Sequence, residues 1–158
     1  MNRRNKFEND IALFQRLREK GYALGTDFIV GHPGESEALW QEALHNLQRL
    51  PLTHVHAFTY SKRDGTPSAA MRGEVNGAVA KARLKELTSI VDANNLAFRK
   101  EFSHLPLDVL IESEKEGRYH GLDQFFNKVV IESPNDLVGN WLNVESYRVE
   151  KDANYVRF

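Results

Sequence analysis

Hydrophobic and polar positions alternate with two different periods along the chain. Phe7, Ile11, Phe14 and Leu17 recur at spacings of four, three and three, which is one face of a helix. Gly21 is its expected C-terminal cap. In the following ALGTDFIVG stretch (23–31), Phe28, Ile29 and Val30 form a continuous apolar run, which predicts a strand buried on both faces. Pro33 and Gly34 make HPGES (32–36) a loop. Ser36 is a good N-cap for a second helix, with Leu39, Trp40, Ala43, Leu44 and Leu47 as its buried stripe. HVHAFTY (54–60) predicts another strand and SKRDGTPS (61–68) a polar loop. A long helix is expected from Gly77 to Phe102, with Leu84, Leu87, Val91 and Phe98 on one side.

This order implies two parallel strands joined by a crossover helix, so 26–30 and 54–60 should be sheet neighbours. Beyond Pro106 the period shortens. Strand candidates lie at 107–113, 118–122, 127–133, 140–149 and 154–158, separated by turns at Gly117, Pro134–Asp136 and Asp152. They predict a small five-stranded antiparallel barrel of the OB type. The fold class is therefore α/β followed by all-β: residues 1–104 as a partial parallel βαβ piece with a closing long helix, and residues 105–158 as the barrel. Two parallel strands cannot close a barrel, so the first region is expected to be part of an open α/β barrel continued elsewhere.

Composition narrows the chemistry. The 158 residues include no cysteine, which excludes disulfides, a thiol nucleophile and a thiolate-held cluster in this chain. No run approaches the roughly 18 apolar residues of a membrane span. The start is polar and basic, without a secretory signal, so the expected location is cytoplasmic and no membrane partner is expected. Charge is uneven: residues 1–104 carry 15 Lys and Arg against 12 Asp and Glu, and residues 105–158 carry 6 against 10.

GHPGE (31–35) follows a strand at its C-terminal end, where ligand sites of parallel sheets gather. Gly31 and Gly34 permit close backbone approach, while Glu35 and Glu37 disfavour a phosphate at the helix start. The other reading is an ordinary turn with Glu35 as a first-turn acid. Asp27, inside an apolar strand, is either a polar contact in a cleft or a carboxylate paired locally. His54 and His56 alternate with Val55 and Ala57; without a nearby carboxylate or third histidine they predict no metal site. Lys62 and Arg63, just after Tyr60, suit phosphate contact and base stacking, or form a solvated turn. Arg118, Tyr119, Phe125, Phe126 and Lys128 mix bases with aromatics. If Phe125 and Phe126 lie in a strand they face opposite ways, one to the core and one available as a stacking platform.

Four segments in order, MNRR (1–4), TDFIVGHPGESE (26–37), HVHAFTYSKRDGTPSAAM (54–71) and the all-β end, resemble the radical-SAM methylthiotransferase family over nearly the whole chain. YSKRDGTPSA is most similar to the subgroup that adds a methylthio group to threonylcarbamoyladenosine beside the tRNA anticodon. The resemblance implies an end of the radical-SAM domain followed by a TRAM domain. It implies S-adenosylmethionine contacts at Arg3, Arg4, Thr26, Asp27, Gly31, His32, Pro33, Gly34 and Glu35; the RNA contacts expected from the bases and aromatics themselves are Tyr60, Lys62, Arg63, Arg118, Phe125, Phe126 and Lys128. The partner it implies is the tRNA anticodon stem-loop.

This chain departs from the family in lacking the upstream cysteines, including a Cys-x-x-x-Cys-x-x-Cys loop, that bind two 4Fe–4S clusters. Those clusters and the catalytic residues are expected in a missing N-terminal portion of the same polypeptide, and this chain alone is expected to be inactive. The net negative β region also departs from a basic RNA grip, so Lys62 and Arg63 are expected to hold RNA more than Arg118 and Lys128 do. Two alternatives stand: a family member acting on an aspartate of a ribosomal protein, and a stand-alone RNA-binding module without catalysis. A phosphate-binding enzyme built on GHPGE is argued against by its acidic helix start.

Overall fold

A computed structural model describes residues 6–157. The chain divides into two compact units, one up to Asn95 and one from Leu96.

The first unit begins with helix α1 (Phe7–Glu19). Gly21 stops it at φ 84. Its N–H bonds the Arg18 carbonyl at 2.9 Å and that of Tyr22 bonds the Leu17 carbonyl at 3.2 Å, a Schellman closure that left-handed glycine permits. Strand β1 (Gly25–Val30) follows, then helix α2 (Glu37–Gln48), strand β2 (His54–Thr59) and helix α3 (Gly77–Glu101). Ser36 caps α2, its hydroxyl accepting from the Leu39 N–H at 3.2 Å. β1 and β2 pair in parallel, Gly25 beside His54 through Val30 beside Thr59, as the crossover connection requires.

The three helices cover one face of this pair. Val30, Trp40, Leu44, Leu47, Leu87 and Val91 form the buried cluster, with Phe14, Leu17, Phe28, Val55 and Ala57 packed against it. The opposite face is open among the described residues: Ile29 is 47% exposed and Phe58 57%, and Asp27 and His56 are exposed beside them. The apolar run at 28–30 is thus covered on one side only, and Asp27 is not buried. Leu39 also departs from the expected α2 stripe; it is exposed, one position off the arc that carries Trp40, Leu44 and Leu47.

The second unit contains the end of α3 and a curled, mostly antiparallel six-stranded sheet, an OB-like half-barrel. Its strands are β3 (Leu107–Lys115), β4 (Arg118–Asp123), β5 (Lys128–Glu132), β6 (Trp141–Val144), β7 (Arg148–Val149) and β8 (Asn154–Arg157), ordered β6-β3-β4-β5-β8-β7. There are six strands rather than five because the 140–149 stretch breaks at Tyr147. That hydroxyl donates to the carbonyls of Phe102 at 3.3 Å and Leu105 at 3.1 Å, drawing the backbone out of line. Burial, then the nearby Asp123 carboxylate, raises the Tyr147 pKa and so favours the neutral donor. β8 pairs with β5 in parallel, a Greek-key return that plain alternation does not reveal.

Leu107, Val109, Ile111, Val129, Ile131, Val144 and Val156 fill the half-barrel. A buried polar cluster closes one end. Asp123 accepts from the backbone N–H groups of Phe125 at 2.9 Å and Asn127 at 2.8 Å. Arg99 donates to the carbonyls of Glu150 at 2.8 Å and Lys151 at 3.0 Å and to Asn154 Oδ1 at 3.2 Å.

β3 shifts register between Ile111 and Ser113, opposite Gly121 in β4. A Cβ on Gly121 would lie 2.2 Å from the Leu110 carbonyl oxygen. We therefore expect Gly121→Ala to lower unfolding stability by about 2–3 kcal/mol, measured by urea denaturation; a neutral substitution would contradict this register.

Candidate functional site

The loop between β1 and α2 is held from within. Gly31 has φ 78 and Gly34 φ 86, both in the left-handed region. A Cβ at Gly31 would come within 2.9 Å of the Ala80 Cβ, so the loop can lie against α3 only with glycine there. The Gly34 N–H bonds the Gly73 carbonyl at 2.8 Å, and the Glu35 N–H bonds that of His32 at 2.9 Å.

Glu35 turns back into the loop. Its two carboxylate oxygens accept from the Gly31 N–H, each at 3.2 Å. Arg83, on α3, donates to Glu35 Oε1 at 2.8 Å and to the Glu35 carbonyl at 3.1 Å, and reaches Glu37 Oε2 at 2.9 Å. The guanidinium also lies over the Trp40 ring, 5.6 Å from its centroid, while Trp40 Nε1 donates to Glu86 at 3.0 Å. The Arg83 and Glu35 side chains are 7% and 15% exposed, so this ion pair is buried; Glu37, at 68%, is at the surface. Burial opposes the Arg83 charge, but the hydrogen bonds and charges of Glu37 and Glu35 outweigh it and raise the pKa above the ordinary arginine value. Glu37 is held below the usual carboxylate range by the Gln41 side chain first and Arg83 second.

Beyond this loop, at the C-terminal ends of β1 and β2, lies a cavity of about 280 Å³. Gly31, Gly77 and Ala80 give it small-residue walls, and Tyr60, Lys62 and Lys81 bring polar groups to it. The Tyr60 N–H bonds the Val30 carbonyl at 2.7 Å, and its ring meets His32 edge-on at 5.2 Å. The Tyr60 hydroxyl is buried without a hydrogen-bond partner, a cost of roughly 1–3 kcal/mol.

The structure therefore separates the expected site residues. Gly31 and Pro33 line the cavity, His32 packs on Tyr60, and Gly34 and Glu35 stabilise the loop. Thr26 and Asp27 sit toward the start of β1, away from the cavity lining. Arg3 and Arg4 lie outside the described residues. Lys62 and Arg63 are exposed, and no ion pair among the described residues engages either. Arg118 faces Glu132 at 3.5 Å. Phe125 and Phe126 occupy the β4–β5 turn rather than a strand. Phe125 packs on the half-barrel core and on Phe98, ring centroids 5.3 Å apart, whereas Phe126 is 74% exposed at φ 62. Lys128 is exposed at the start of β5.

His54 is engaged by Thr53 at 2.9 Å and Asn95 at 3.5 Å, and His56 is exposed; no group of three metal-binding side chains occurs among the described residues. Arg83 and Lys81 were not singled out from the sequence. The available signal for Arg83 was an arginine on the apolar stripe between Ala80 and Leu87, a position that requires an acid.

The fold and loop thus define a βαβ unit with a glycine-shaped loop between β1 and α2, followed by an OB-like half-barrel. No family model matches the chain. Over its whole length it is homologous to the C-terminal part of proteins named methylthiotransferase. It is 43% identical over 160 residues to a provisionally named methylthiotransferase of Helicobacter pylori strain J99, and 42% identical to that of strain 26695; it spans 38% of each. It is 34% identical over 143 residues to the tRNA-2-methylthio-N(6)-dimethylallyladenosine synthase of Maricaulis maris, covering 88% of this chain and 31% of that protein. No helix among the described residues is long and apolar enough to cross a membrane.

Glu35→Gln is expected to cost about 2–3 kcal/mol, because it removes the buried counter-charge and leaves the guanidinium with the backbone carbonyl of residue 35 and the surface carboxylate of Glu37. Glu37→Gln should cost less than ~1 kcal/mol. Urea midpoints of the two variants check this; equal costs would show that the pair is not the anchor.

Proposed function

We propose that this chain is the C-terminal part of a radical-SAM methylthiotransferase that modifies an adenosine beside the tRNA anticodon, with threonylcarbamoyladenosine as substrate. The observation that carries the reading is similarity over the whole chain to proteins named methylthiotransferase, one of them named for a tRNA nucleoside. The YSKRDGTPSA loop favours the threonylcarbamoyl substrate. In this reading residues 1–104 complete the radical-SAM barrel, 105–158 form the TRAM domain, and the enzyme works in the cytoplasm. The open face of the β1–β2 pair, with Asp27, Ile29, His56 and Phe58, is covered in the longer parent.

The residues here do not fit an iron–sulfur cluster, which needs cysteine thiolates, so the two 4Fe–4S clusters belong to other parts of the parent and no step is assigned to them here. The loop does fit S-adenosylmethionine, which when bound supplies a transferable methyl group. Backbone at Gly31–Gly34 can approach it closely, whereas Thr26 and Asp27, toward the start of β1 and on opposite faces of the strand, lie away from this loop. Glu35 acts on the loop's shape, since its oxygens are taken by Gly31 and Arg83. Arg3 and Arg4 supply guanidinium groups for a carboxylate.

RNA is held by Tyr60, Lys62 and Arg63 from the first unit and by Phe125, Phe126, Arg118 and Lys128 from the second. Phe126 supports this assignment most clearly. A large apolar side chain in left-handed backbone and almost wholly exposed contributes nothing to the core and costs roughly 1 kcal/mol of strain. An exposed ring is what base stacking needs. In the full-length parent, Phe126→Gly should leave stability equal or raised by up to ~1 kcal/mol, and lower tRNA affinity by about tenfold. Nucleoside mass spectrometry of cellular tRNA should show the methylthio group on threonylcarbamoyladenosine lost when the parent is deleted. Unchanged tRNA, with a methylthio group lost from a ribosomal-protein aspartate, would overturn the substrate; unchanged tRNA affinity in Phe126→Gly would overturn the stacking role.

A further inference from the structure

The face of the half-barrel sheet that points away from its core carries one continuous row across four strands. Trp141 of β6 stands beside Leu110 of β3, Leu110 beside Leu122 of β4, and Leu122 beside Lys128 of β5. Val109 and Ile111 turn into the core, so Leu110 and its row partners face the other way. With strands about 4.8 Å apart, the row spans roughly 14 Å of sheet. At its far end, two residues before Lys128, the β4–β5 turn holds Phe126. Trp141 is 68% exposed and Phe126 74%, more than any other large apolar side chain among the described residues. Lys128 is exposed and has no ion-pair partner among the described residues.

The size and charge of this strip select its occupant. A large aromatic side chain offers roughly 150–250 Å². Two of them, with half-buried leucines between, fall short of the roughly 800 Å² that each partner buries in a stable protein interface. Gripping a duplex backbone takes a surplus of bases, and residues 105–158 carry 6 Lys and Arg against 10 Asp and Glu. Stacking needs no such surplus, because every nucleobase has a π face. Successive bases of a double helix lie about 3.4 Å apart, too close to reach both ends of the row. A strand with its bases splayed, as RNA loops present them, does reach both.

We propose that this strip is a stacking platform for unpaired bases of an RNA loop. Trp141 is the second ring beside Phe126, Leu110 and Leu122 are the apolar floor between them, and Lys128 meets one phosphate. The proposal rests on the reading of the parent as a tRNA-modifying enzyme and deepens it. The second unit holds loop bases by stacking, with almost no dependence on salt beyond the single contact at Lys128.

The chain has two tryptophans, and Trp40 is buried. Quenching of the chain's fluorescence by an anticodon stem-loop RNA therefore reads Trp141. In the longer parent, Trp141→Leu keeps apolar bulk but loses the π face. It should weaken stem-loop affinity about tenfold at an unchanged salt slope. Trp141→Phe should keep most of the affinity. Lys128→Ala should instead flatten the log–log salt dependence by roughly one unit. The same stem as a loop-free duplex should bind the native and Trp141→Leu proteins equally. Tryptophan emission unmoved by bound RNA, or full affinity in Trp141→Leu, overturns the platform and leaves the tRNA reading standing. Equal losses in Trp141→Leu and Trp141→Phe overturn stacking. A native dimer that Trp141→Leu splits, seen by sedimentation, overturns the proposal in favour of a second copy on the strip. Failure of the native parent to bind the stem-loop at all overturns the tRNA reading itself.

Discussion

The first unit depends on one buried ion pair. Arg83 sits on the apolar stripe of α3, where a lone guanidinium would cost several kcal/mol. Glu35 reaches it from the opposite end of a tight loop, and the same carboxylate accepts from the Gly31 N–H. The pair thereby ties α3 to the turn between β1 and α2 and places Gly31 against Ala80. Remove it and three things loosen together: the loop's left-handed glycines, the start of α2 through Glu37, and the cavity whose wall Gly31 provides. A first-turn acid that looks like a helix-dipole residue in sequence is in fact the clasp of the loop between β1 and α2.

The second unit shows the same device with different atoms. Asp123 organises the β4–β5 turn through two backbone N–H groups, and Asn154 links it at 3.4 Å to the acceptors around Arg99. Burial lowers the Arg99 pKa, with Asp123 and Asp152 opposing, so its charge is kept by these partners. The turn built on Asp123 then presents Phe126 outward. In both units a buried arginine from α3 donates to a neighbouring loop, Arg83 to the turn between β1 and α2 and Arg99 to the turn between β7 and β8.

Much of the fold was legible because it follows from local rules. Gly21 and Ser36 mark their helix ends by capping chemistry, and the crossover helix requires the parallel β1–β2 pair. What was not legible depends on partners distant in sequence. Asp27 and Ile29 are exposed because nothing among the described residues covers that face, which periodicity within one strand cannot report. The parallel return of β8 to β5 and the break at Tyr147 are tertiary choices. Of the site, the glycine loop was legible from Gly31 and Gly34, but the employment of Glu35 by Arg83, 48 residues away, was not. Phe126 was recognised as the candidate ring, yet in a turn at positive φ rather than in a strand.

The most direct test of this account is a double-mutant cycle on Glu35 and Arg83. Unfolding free energies of Glu35→Gln, Arg83→Met and the double variant give their coupling. The account predicts a coupling of about 2 kcal/mol or more, with the double variant closer to the native stability than the two single losses would sum to. Additive losses, within about 0.5 kcal/mol, would contradict the claim that this pair anchors the loop.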